Sequence, residues 1–193
     1  AIIAIRLLTK PDLHQVTSPS KMVMGTFANA IAVAETKPIS EKAIKAAFDQ
    51  LQYVEQTMSD YIEDSELSRI NKNAFENPVK VSDELFEVLT ASIKYSKLSN
   101  GAFDITIGPV VELWRQAEID KKKPTEQQIA AAKEKVGHDK LILNPKTQTA
   151  SFTVEGMKLD LGAIAKGYAI DQAVKAMQSA GAIGGMVDAG GDI

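Results

Sequence analysis

The chain of 193 residues contains no cysteine. Disulfide scaffolds, thiolate zinc sites and cysteine nucleophiles are therefore excluded, while the redox compartment stays open. Histidine is scarce as well. His14 and His138 lie far apart in sequence, and each reads as a surface residue before it reads as a ligand. No apolar run approaches the ~20 residues needed to span a bilayer. The opening AIIAIRLLT is short and carries Arg6, so no intact signal peptide is visible. A leader removed upstream of residue 1 is consistent with that. An excess of positive charge is also missing: the net charge is −3, and the lysines are scattered except for Lys121-Lys122-Lys123 before Pro124, which read as a solvated loop. Nucleic-acid binders usually show a basic stripe, so no nucleic-acid partner is expected.

What is present suits a globular α+β protein. The chain is 45% hydrophobic and 24% charged, and its length fits one domain or one domain with an excursion. Residues 27–34 read as a strand from Phe27, Ile31 and Val33. Ser40 is placed to cap a helix over 41–59, with Ile44, Ala47, Phe48, Leu51 and Val54 on its buried face. Ser65 starts a short helix that turns Leu67 and Ile70 inward, and Ser82 starts another over 83–100 that ends at Gly101. GAFDITIGP, residues 101–109, reads as extended, with Pro109 opening a helix over 110–116. Thr125 and Gln128 form a capping box for 129–136. KLILN and ASFTV flank the turn PKTQT as a hairpin, and MKLDL (157–161) forms a third strand. A helix follows Gly162, with Ala165, Ala169, Ile170, Ala173, Val174 and Met177 in one stripe. GGMVDAGGDI then begins a buried strand and a glycine turn.

The stretch LDLGAIAKGYAID, 159–171, carries the sharpest chemical signal. A strand gives way to a helix, and a helix N-terminus offers unpaired N–H groups to an anion. Glycine at 162 and 167 admits either a ligand or a neighbouring strand. Lys166 in the first turn opposes the helix dipole unless an anion sits there; otherwise it points to water. The spacing is neither a Walker loop nor a Rossmann fingerprint. Other residues are equally two-sided. Asp104 faces solvent or a polar ligand, and Tyr61 is a core lid or a stacking face for a heterocycle. Met24 fills core or meets a ring edge. Asp188 and Asp192 serve turns or a site.

Taken in chain order, these stretches resemble the ApbE family, the FAD:protein FMN transferases. The resemblance runs through M-G-T at 24–26, S-x-Y at 59–61 with SELSRIN at 65–71, GAFDITIGP at 101–109 with Leu113-Trp114, DLGAIAKGYAID at 160–171, and GGDI at 190–193. It makes residues 24–193 an ApbE-like domain, truncated at its C-terminus, and 1–23 an N-terminal extension. It implies an α+β fold related to the T-fold, a mixed sheet with helices packed on it. It also implies FAD as substrate, magnesium as cofactor, and transfer of FMN to a Ser or Thr hydroxyl of an acceptor flavoprotein with release of AMP. The acceptors would be FMN-binding domains of redox proteins. Family flavin contacts fall on Met24, Tyr61, Ala102, Phe103, Asp104, Asp160 and Lys166. A metal-binding backbone carbonyl falls on Ala163, and no catalytic residue is assigned.

The family pattern continues past GGDI with an Asp and a Thr that complete the metal site. Asp192 is not that Asp, so weak metal binding and poor transfer are expected of these 193 residues. Lipid anchoring in the family uses an N-terminal cysteine, which this sequence lacks, so membrane association would require an anchor already removed. The resemblance favours a periplasmic or other extracytoplasmic setting. The alternatives are an FAD pyrophosphatase yielding FMN and AMP, and a non-catalytic FAD-binding module.

Overall fold

The computed structural model describes residues 12–193, so the apolar AIIAIRLLT lies outside the described residues. In chain order the elements are β1 (His14–Thr17), β2 (Lys21–Val23), β3 (Thr26–Ala34), α1 (Lys37–Met58), α2 (Glu66–Asn73), β4 (Val79–Lys80), α3 (Asp83–Leu98), α4 (Gly108–Asp120), α5 (Glu126–Lys133), a 3₁₀ turn at His138–Lys140, β5 (Leu141–Asn144), β6 (Thr149–Phe152), α6 (Ala165–Ser179) and β7 (Gly184–Ala189). The class is α+β, as expected. Two compact units divide the chain: one holds the residues up to Gln52 together with Ala169–Ile193, the other Tyr53–Tyr168.

In the first unit β3 is the central strand. β7 pairs antiparallel with it from Ala28↔Ala189 to Val33↔Gly184, while β1 and β2 pair with it in registers offset by one residue. Residues 14–23, read from sequence as part of an extension, thus form strands on β3. The β2–β3 hairpin closes through Met24 and Gly25, both at positive φ (52° and 70°), the condition a tight two-residue hairpin turn imposes. Glycine meets it without strain and methionine does not.

The buried face of β3 is not the one its large side chains suggest. Ala28, Ala30, Ala32 and Ala34 are fully buried, whereas Phe27 is 63% exposed. Alternation puts the alanines on one face and Phe27, Ile31 and Val33 on the other, and the small set is the one that faces inward. α1 begins earlier than expected, at Lys37, because Pro38 is well suited to a first turn. Ser40 therefore lies inside the helix. Its hydroxyl donates to the His14 carbonyl (2.7 Å) and ties α1 to β1. The Lys21 ammonium lies 4.5 Å from the centre of the Phe48 ring, a second tie.

The second unit contains a three-stranded antiparallel sheet in the order β4-β6-β5, and the expected β5–β6 hairpin is present. Ser65, Ser82 and Thr125 cap α2, α3 and α5, and Thr125 and Gln128 complete the capping box. Leu67, Ile70, Leu85, Leu89, Ile105, Met157, Leu159 and Leu161 are fully buried. The strand expected over 157–161 is absent, and 101–109, expected to be extended, turns instead. The polar contacts that replace them build the site described below.

At Gly185 of β7 an added Cβ would lie 2.4 Å from the Ile31 carbonyl oxygen and 2.7 Å from the Met177 methyl. Overpacking of this kind costs about 1–3 kcal/mol. Gly185→Ala is expected to lower the urea midpoint accordingly, and an unchanged midpoint would contradict this account of the β3–β7–α6 packing.

Candidate functional site

The two motif-bearing stretches of the second unit, more than fifty residues apart in sequence, are joined by backbone contacts. The Asp160 amide donates to the Ile105 carbonyl (2.8 Å), and Ile107 and Lys158 form an isolated parallel bridge. A Cβ at Gly108 would stand 2.6 Å from the Lys158 carbonyl oxygen, so only glycine allows this approach. The Asn71 side chain completes the arrangement. Its Nδ2 donates to the Leu159 carbonyl (2.9 Å) and its Oδ1 accepts from the Leu159 amide (2.7 Å). One amide thus replaces a neighbouring strand for a single residue, which is why 157–161 is extended in bonding but belongs to no ladder.

Asp104 explains why 101–109 turns instead of running straight. Its Oδ1 accepts from the Thr106 amide (2.9 Å) and the Thr106 hydroxyl (2.7 Å). Its Oδ2 accepts from the His138 amide (3.0 Å). The Thr106 Oγ1 in turn accepts from the Gly137 amide (2.8 Å). A carboxylate that bonds two residues ahead makes a local turn, and here it also fastens that turn to residues 137–138. Beside it, the Phe103 amide donates to the Ser99 hydroxyl (3.0 Å), and the Phe103 ring meets Tyr95 edge-on at 6.3 Å. Phe103, Tyr95, Leu98, Ser99, Ala163 and Ile164 line an open, mostly apolar groove of about 450 Å³. Ala102 lies exposed next to it in sequence.

Asp160 sits at the turn into α6. Its Oδ1 accepts from the Gly162 amide (2.8 Å), and its Oδ2 pairs with Arg115 Nη2 at 3.2 Å. The other terminal nitrogen of Arg115, Nη1, binds Asp60, and the guanidinium carbon lies 4.3 Å from the centre of the Tyr61 ring. Burial alone would lower the Arg115 pKa, but the Asp60 hydrogen bond and charge hold it above its ordinary value. Asp60, Tyr61, Asn71, Lys72, Arg115 and Lys158 line a polar cleft of about 470 Å³. Tyr61, 77% exposed, is no core lid.

The second unit therefore gathers Tyr61, Ala102, Phe103, Asp104, Asp160 and Ala163 around one loop junction, with Lys166 in the first turn of α6. Met24 belongs to the first unit. Asp188 serves a turn: its Oδ1 accepts from the Gly191 amide (2.9 Å). Sequence reasoning missed Arg115, Asp60 and Asn71. One signal was available. Arginine occurs three times in the chain, against 19 lysines, and its planar fork is suited to binding two carboxylates at once.

Next to Lys166 and Gly167, Tyr168 donates to Glu87 (3.3 Å). Burial and then the Glu87 charge raise its pKa to about 12. The folded state keeps this proton to higher pH than the unfolded chain. The resulting stabilisation is complete below pH ~10 and is lost as the pH climbs towards 12. Tyr168→Phe should remove the latest-ionising component from a 295 nm absorbance titration, and its persistence would refute the assignment. For Asp104, truncation to alanine strands three donors. Asp104→Ala is expected to cost about 2–4 kcal/mol by denaturant unfolding and Asp104→Asn less; equal, small losses would show that the carboxylate does not fasten the loop.

A model of the ApbE family matches residues 24–193. The FAD:protein FMN transferase of Haemophilus influenzae is 35% identical over 189 residues, covering 93% of this chain and 54% of the relative. That of Vibrio cholerae is 33% identical over 174 residues, covering 88% and 51%. The solved structure of Flavin Transferase ApbE from Vibrio cholerae superposes with a TM-score of 0.81 at 31% identity, over 93% of this chain and 58% of that one. The ApbE protein of Thermotoga maritima superposes with a TM-score of 0.79 at 26% identity, over 92% and 57%. The chain spans about half the length of the curated relatives it matches. With its family motifs meeting at one loop junction and the family model matching from Met24 onward, the chain belongs to the ApbE family.

Proposed function

We propose that this chain supplies the FAD-binding part of an FAD:protein FMN transferase. The observation that carries the proposal is the junction of 101–109 with 157–166, which sets an apolar groove bearing Phe103 and Ala163 and a polar cleft bearing Tyr61 and Arg115 in one unit. The relatives' names support the reaction. In it, a Ser or Thr hydroxyl oxygen of the acceptor flavoprotein attacks the FMN phosphorus of FAD. The phosphorus–oxygen bond to the AMP half breaks, AMP leaves with the bridging oxygen, and the hydroxyl proton passes to solvent. Such a transfer depends on positioning and charge neutralisation more than on covalent help from the protein.

In this reading Tyr61 and Phe103 offer flat faces to ring systems, and Ala102 leaves room for close approach. The α6 N-terminus and Lys166 face the diphosphate. Asp160 orders the turn that presents those amides. Asp104 acts through the loop it fastens. Magnesium would use the Ala163 carbonyl, but among the described residues no cluster of three or more His, Asp or Glu side chains is placed to hold a metal ion. An extracytoplasmic setting, with FMN-binding domains of redox proteins as acceptors, belongs to the same proposal.

The test is the mass of a purified FMN-acceptor domain after incubation with the chain, FAD and magnesium. An added FMN-phosphoryl mass supports the transferase. AMP release without that mass supports the pyrophosphatase, and FAD retention with neither supports a binding module. FAD retention by the chain alone is expected to change less than about twofold on EDTA treatment, because ring contacts with Tyr61 and Phe103 need no metal. A large EDTA effect would mean that a metal helps to hold FAD on this chain.

A further inference from the structure

We propose that Arg115 is a positioning residue that holds Tyr61 as a one-sided stacking platform for a flat heterocycle. The inference rests on the FAD reading above and adds a residue to it. A guanidinium has two kinds of surface, an edge of N–H donors and a flat face. The edge of Arg115 binds Asp60 and Asp160, which fixes the plane of the group. Its guanidinium carbon lies over the Tyr61 ring, 4.3 Å from the centroid. Asp60 and Tyr61 are consecutive, so one side chain holds two adjacent residues of the 59–64 turn by contacts of different kinds.

Ser65 tethers this turn: its amide donates to the Ile62 carbonyl (3.1 Å), and its hydroxyl donates to the Ser59 carbonyl (2.6 Å). A ring that is 77% exposed has little packing to orient it, and the Arg115 guanidinium supplies that orientation. With it, one ring face is covered by a cation and the other is left for a ligand. Arg115 also ties Tyr61 to the α6 approach, since Asp160 carries the Gly162 amide on its second oxygen. The Tyr61 stacking face and the Gly162 amide at the approach to α6 are thus both tied to one guanidinium. Lysine cannot reproduce this, because an ammonium is a point donor without a planar edge and face.

The experiment is an FAD titration of the full chain, read by quenching of flavin fluorescence, with Arg115→Gln, Arg115→Lys and Tyr61→Leu compared. Tyr61→Leu should remove most of the quenching at saturation. Both Arg115 variants should weaken FAD binding about fivefold and reduce the quenching at saturation, the lysine no less clearly than the glutamine. A merely structural role would lower the melting temperature of the Arg115 variants and leave the quenching of their FAD-saturated forms at the wild-type level; that result, or full rescue by lysine, overturns the inference. If Arg115→Gln does not fold, Arg115→Lys carries the test. If wild-type chain neither binds FAD nor quenches it, the FAD reading itself falls and takes this inference with it. Wild-type binding with unaffected Arg115 variants would sink only the inference.

Discussion

The close backbone approach at Gly108 and Lys158 is the constraint on which the candidate site depends. A side chain at 108 would collide with the Lys158 carbonyl, so glycine there lets two loop segments come within hydrogen-bonding reach. Once they do, the Asp160 amide finds the Ile105 carbonyl, and Leu159 can be gripped by Asn71 from the other side. Isolated backbone bonds of this kind contribute little singly, about 1 kcal/mol each. They hold because the apolar residues between them, Ile105, Met157, Leu159 and Leu161, are fully buried. Apolar burial supplies the stability, and the polar contacts choose the arrangement.

Carboxylates carry much of that choice. Asp104 and Asp160 each take a backbone amide two residues ahead, and each gives its second oxygen to a distant partner: the His138 amide for Asp104, Arg115 for Asp160. The same local device therefore ends one segment and begins the next, and then anchors both to remote parts of the unit. No buried side-chain nitrogen or oxygen is left without a partner among the described residues, as expected of groups that have given up water. A family contact and a structural fastening are compatible on such residues, since a carboxylate has more acceptor positions than the protein fills here.

Much of the local structure could be read directly. Ser65, Ser82 and Thr125 cap helices as their spacing indicated, because capping is decided within four residues. The β5–β6 hairpin was legible for the same reason. The failures have a common cause. Ser40 resembled a cap, but its hydroxyl is used by His14, 26 residues away. GAFDITIGP and MKLDL had the composition of strands, yet Asp104 bends the first and a single asparagine amide replaces a neighbouring strand for the second. On β3 the large side chains misled, because burial there favours the alanine face.

The sequence alone determined the α+β class, the starts of α2, α3 and α5 and the identity of the motif residues, since each is set by neighbours a few positions away. Through the family resemblance it also singled out Tyr61, Phe103, Asp104, Asp160 and Lys166 as candidate ligand contacts. Only the tertiary structure decided which of these meet, that Asp104 is a fastener, and that Arg115 joins Asp60, Tyr61 and Asp160. Those pairings span 45 to 55 residues for Arg115 and 34 for the Asp104–His138 contact. Contacts at that separation are fixed by which apolar surfaces pack together, and no local propensity or periodic pattern encodes them.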